Sequence, residues 1–150
     1  MAMRRPEERI SAALRRGLAA LSIGPGAPNA EGRRQDVPLV RTRLPGGTWV
    51  EDEGVWSFKA GLLMRATNML IQAAQAGAVA LEEAEREHLQ TLFDTCFRLL
   101  RGRVRVIDGD LEVLTGPNAT EGNAATQPVV LLALLSPDEA VLGLGAPQMA

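Results

Sequence analysis

Tyrosine is absent from the 150 residues, and cysteine and histidine occur once each. A single lysine stands among sixteen basic side chains. Each scarcity removes a class of function. A zinc site draws on about four Cys, His or carboxylate ligands, and Cys96 and His88 are the chain's whole stock of the first two. One cysteine builds no intrachain disulfide framework, which suits a reducing compartment. His88 and Cys96 lie on one expected helix about 12 Å apart along its axis, too far for a nucleophile and its base. His88 therefore reads as a buried histidine with its hydrogen bonds satisfied.

Five aromatic side chains give no row of stacking platforms for single-stranded nucleic acid. The most apolar run, "PVVLLALLS", is far short of the roughly 20 residues of a membrane span. No apolar stretch follows the basic residues of "MAMRRPEER", so secretion is not expected. Neither "GPGAPNAEG" nor "GPNATEGN" contains a phosphate-loop or dinucleotide fingerprint, so no cofactor is expected. Fifteen arginines to one lysine, with abundant Ala and Gly, fit the codon bias of a GC-rich bacterial or phage genome.

What is present is charge partition and periodicity. The net charge is −2, but residues 1–43 hold nine Arg against four acids and residues 44–150 hold seven basic groups against fourteen. This asymmetry orients self-assembly or docks one end on an acidic partner. A helix is expected from Pro6 to Leu21, with Ile10, Leu14, Leu18 and Leu21 on one face and Arg5, Arg9 and Arg16 nearly opposite. Residues 22–36 read as a long loop and "VPLVRTRL" (37–44) as a strand with Arg41 and Arg43 on one side. Trp49 and Val50 are expected to pair with Val55 and Trp56 across the acidic turn Glu51, Asp52, Glu53, Gly54.

In "GVWSFKAGLLMRAT" (54–67), Trp56, Phe58, Ala60, Leu62, Met64 and Ala66 share one parity, with Lys59 and Arg65 on the other. That period of two predicts a half-buried strand about twice the usual length. Residues 68–77 are ambiguous: their composition favours a short helix ended by Gly77, and their apolar residues also suit a buried loop. A second strong helix spans Leu81 to Arg101, acidic at its start and basic at its end. "RVRVIDGDLEVL" is a hairpin turning at Asp108 and Gly109, residues 115–128 are a second long loop, and "VVLLALL" (129–135) is a strand buried on both faces. A last turn begins at Pro137 behind Ser136, and residues 1–5 and 138–150 are expected to be flexible. The whole reads as one α+β domain, mostly antiparallel sheet with two main helices on one face. Paired carboxylates, Glu51 with Asp52 and Glu53 or Asp108 with Asp110, sit in expected turns, where backbone reasons account for them.

The order of an amphipathic helix, a loop, "VPLVRTRL", the long strand "VWSFKAGLLMRAT", the helix "EEAEREHLQTLFDTCFRLL" and closing strands resembles the small tail-terminator or tail-completion proteins of tailed bacteriophages. The resemblance is one of pattern over most of the chain and transfers no single functional residue. It implies a non-enzymatic α+β virion subunit, assembled in the bacterial cytoplasm, forming a ring, commonly hexameric, at the head-tail junction or the end of the tail tube. Its implied partners are copies of itself, tail tube protein and head-connector protein, with no membrane and no sequence-specific nucleic acid. A strand longer than its covering helices would find its second layer in a neighbouring subunit. Arg5, Arg9, Arg16, Arg41, Arg43, Lys59, Arg65, Glu51, Asp52 and Glu53 are the expected interface residues. The alternative is a small cytoplasmic binding or regulatory protein that docks an acidic partner or DNA through Arg4, Arg5, Arg9, Arg15 and Arg16.

Overall fold

The computed structural model describes residues 5–51 and 54–136. They form α1 (Pro6–Ala19), β1 (Ser22–Pro25), β2 (Asp36–Leu39), β3 (Arg41–Arg43), β4 (Trp49–Glu51), α2 (Ser57–Gln75), α3 (Glu83–Arg101), β5 (Val104–Ile107), β6 (Asp110–Val113) and α4 (Thr126–Ser136). The class is α+β as expected, but helices dominate. The strands make three separate two-stranded antiparallel sheets, β1–β2, β3–β4 and β5–β6, in place of the single large sheet expected. Arg4, Asp52, Glu53 and the turn expected from Pro137 lie outside the described residues.

The largest correction concerns residues 54–67. Gly54 to Trp56 approach a helix, and α2 takes up the rest and continues through "NMLIQAAQ". Residues two apart on a helix point about 200° away from each other, so the shared parity does not place its members on one face. Ala60 and Met64 are fully buried, while Phe58 and Leu62 stand exposed on the other side. The short helix that the composition of 68–77 favours is the second half of α2, and Gly77, at φ 78°, takes the left-handed position just past its end.

The "VVLLALL" strand is likewise corrected to helix, in α4. A continuous apolar run does not by itself separate strand from helix. Here Asn123 Oδ1 accepts the Thr126 N–H at 2.8 Å and starts the helix. Gly61 lets α4 approach α2 closely: a Cβ there would meet Val129 Cγ1 at 3.2 Å and Val130 Cγ2 at 3.4 Å.

The expected pairing of Trp49 and Val50 with Val55 and Trp56 is replaced by pairing with Arg43 and Thr42. The turn sits at Gly46 and Gly47, both at positive φ, rather than at the acidic segment. Residues 22–36 are not all loop, because "SIGP" pairs with "DVPL" as β1–β2, and the strand expected over 37–44 divides at Val40. The loop expected over 115–128 gives way to α4 at Thr126.

Three elements stand where the pattern put them. α1 has Pro6 at its first position and packs Leu14 and Leu18, with Leu21 beyond it, on Leu70, Leu81, Leu89 and Leu92. Ile10 is the exception, 68% exposed, so the apolar stripe is shorter than expected. α3 has Glu83 and Glu85 in its first turn and Arg98 and Arg101 in its last. β5–β6 turns through Asp108 at φ 51° and Gly109 at φ 87°, the backbone of a primed hairpin turn.

The main core joins Met64 and Ala60 of α2 to Phe93, Cys96 and Leu100 of α3, Val113 of β6 and Val130 of α4. Burial pushes the Cys96 thiol up to about 12. Between the unfolded value near 8.5 and that value, the folded chain keeps a proton that the unfolded chain releases, so stability falls as pH rises through this window. A thiol reagent at neutral pH is expected to label Cys96 at least about a hundredfold more slowly in the native protein than in denaturant. Rapid native labelling would contradict this packing.

Candidate functional site

Two features stand out on the outside of this helical frame. The first is the outer face of α2. Phe58, Leu62, Arg65 and Met69 follow one another at helical spacing and fall within about 60° of arc. The three apolar side chains are 41%, 47% and 60% exposed. α2 is thus apolar on both sides, one facing α3 and α4 and the other facing out. Trp56, also exposed, lies just before the helix with its ring over Gly116. Single exposed apolar residues are ordinary, and three on one helical face line up as a stripe.

The second feature is a cleft of about 200 Å³ between the loop joining β1 to β2 and the start of β5. Arg33, Arg34, Arg103 and Arg105 line it, and no described lining residue carries a carboxylate. Arg103 is buried beneath the approach to α2. Its Nη1 donates to Val55 O and, at 3.1 Å, to Ser57 Oγ. Ser57 Oγ in turn donates to Leu114 O, and Leu114 N donates back to Arg103 O at 2.9 Å. Burial pushes the Arg103 guanidinium down to about 10. It still carries its charge at neutral pH.

The expected interface residues do not converge on one patch. Arg5, Arg9 and Arg16 are exposed along α1, with Arg9 and Arg16 bordering one shallow depression. Arg15 turns inward instead: its Nε donates to Glu85 Oε2 at 3.0 Å and its Nη2 to Oε1. This bond holds the Glu85 carboxyl below its ordinary value. Arg41 lies 3.9 Å from Glu51 across β3–β4, and the Arg43 guanidinium stands 6.0 Å from the Trp49 ring centre. Lys59 and Arg65 are both half-buried on α2, and only Arg65 belongs to the exposed stripe.

His88 Nε2 donates to Leu18 O at 3.1 Å and ties α3 to the end of α1. It is half-buried rather than fully buried. Cys96 lies in the main core, and His88 with Glu85 borders a separate cavity against α1. Among the described residues no three His, Cys, Asp or Glu side chains stand close enough to hold a metal ion. No helix among them is long and apolar enough to cross a membrane.

The spacing of Phe58, Leu62 and Met69 is visible in the sequence, though the parity shared with Ala60 and Met64 masks it. The arginine cleft has a fainter signal, two basic pairs about 70 residues apart that only the fold brings together. No family model matches the chain, and no curated protein or solved structure matches it significantly.

Proposed function

We propose that the protein is a non-enzymatic structural subunit that self-associates through the outer face of α2, in a ring of the tail-completion kind. The expected long strand is a helix, and the observation that carries the reading is the exposed stripe of Phe58, Leu62 and Met69. Charge supports a second copy as its occupant. Arg5, Arg9 and Arg16 face out along α1, while Glu83, Glu87 and Asp94 face out along α3. Surfaces of opposite sign on one chain favour head-to-tail contacts, which close into rings when the rotation permits. Placement in a phage virion, with tail tube and head-connector proteins as neighbours, rests only on the part of the resemblance that stands, α1, the strands over 36–43, α3 and the β5–β6 hairpin, because the long strand and the last closing strand are helices.

Light scattering across a range of protein concentrations tests this reading. A closed multimer is expected, formed by the chain alone or on addition of tail tube protein. A monomer under both conditions would contradict it. The Arg row of α1 also favours a second reading, docking of an acidic partner or DNA, which predicts a monomer or dimer and binding that weakens steeply with salt.

A further inference from the structure

Buried cations in folded chains ordinarily meet a carboxylate, because an uncompensated charge is costly to desolvate. Arg103 is 6% exposed and has neutral oxygens as its hydrogen-bond partners. Three more arginines open on the same cleft. Arg34 donates through Nη1 to Gly26 O at 2.9 Å and Arg105 to Gly102 O at 2.6 Å, so both are tethered to backbone rather than to acids. Arg33 lies 3.9 Å from Glu31, an exposed and therefore weak pair. Asp52 and Glu53, which precede Gly54 of the cleft wall, lie outside the described residues.

The loop that presents Arg33 is held by its own sequence. Asn29 Oδ1 accepts the N–H of Glu31 at 3.0 Å and of Arg33 at 2.9 Å, and Asn29 N donates to Arg33 O at 2.8 Å. The side chain of Asn29 thereby closes a turn that delivers two consecutive arginines to the cleft. Arg103 is fixed from the opposite side through Val55 and Ser57. Binding an anion between these walls needs little further ordering of the chain.

We propose that this cleft binds a phosphate-type oxyanion, held by Arg33, Arg34, Arg103 and Arg105. Four guanidinium groups exceed what a single carboxylate neutralises, whereas a phosphoryl group brings up to two charges and several acceptor oxygens in a geometry that arginine matches with paired bonds. The space, about 200 Å³, is below the roughly 300–1,000 Å³ of sites for drug-sized ligands. The occupant is therefore small: inorganic phosphate, or the phosphoryl end of a small phosphomonoester.

The test titrates the full chain with sodium phosphate and with glycerol phosphate, each against sodium chloride at equal ionic strength, following the thermal midpoint. Phosphate is expected to raise the midpoint progressively with concentration, as mass action on the folded state requires. R33Q/R105Q, altered only at the exposed rim, is expected to stay folded and, measured against its own phosphate-free midpoint, to bind at least about tenfold more weakly. Arg103 is left intact because it ties the approach of α2. Tighter binding of inorganic phosphate would identify the free ion as the ligand, and tighter binding of glycerol phosphate a monoester; either supports the site. An effect no larger than that of chloride, or equal in R33Q/R105Q, would overturn it.

Discussion

Phe58→Glu combined with Leu62→Lys is expected to leave the protein folded and monomeric at concentrations where the unaltered chain is multimeric. Both side chains are exposed on α2, and neither belongs to the core clusters. In an interface their positions are central, flanked one helical turn on by Arg65 and then by Met69. Apolar anchors at such positions typically contribute about 2 kcal/mol or more each. Losing two, with desolvation of the new charges added, weakens association on the order of 10³-fold. Circular dichroism separates this outcome from unfolding. A double variant with the unaltered multimer mass would remove the outer face of α2 from the interface.

The second large effect lies on the opposite side of the same helix. Met64→Ala removes a fully buried side chain from the main core and is expected to cost about 2–5 kcal/mol in urea unfolding. That is a substantial fraction of the roughly 5–15 kcal/mol that holds an ordinary domain together. Leu62→Ala, only two residues away, is expected to cost under about 0.5 kcal/mol in the monomer. The contrast discriminates between conformations. In a strand, residues 62 and 64 share a face and both truncations would cost alike; in α2 they face opposite ways. Equal losses at the two positions would contradict the helix.

The same pair explains what the sequence made legible and what it hid. α1, α3 and β5–β6 were readable because each is amphipathic on one side only, or turns on a dipeptide whose backbone demands are specific. Leu89, Leu92 and Leu99 repeat at helical spacing with Gln90, Asp94 and Arg98 exposed between them, and Asp108 with Gly109 accepts the positive φ of a tight turn. α2 and α4 carry apolar residues on more than one side, so their helical period is diluted. In α2 the overlay of Phe58 and Leu62 on Ala60 and Met64 produced an alternation that imitates a strand. This ambiguity and the proposed contact have one physical cause, an outward face as apolar as an inward one. The arginine cleft was hidden for another reason. Arg33 and Arg34 meet Arg103 and Arg105 only because β2 packs on α3 and the chain reverses after Gly102.

The most direct test of the central claim is photo-crosslinking from the outer face of α2, with Leu62 replaced by p-benzoylphenylalanine in the full chain. The account predicts a covalent dimer on irradiation of the purified protein, its yield rising with concentration. Mass spectrometry should place the far end on another copy. Irradiation that gives only monomer at concentrations well above those of the assembly assay, or links confined to the same chain, would contradict it.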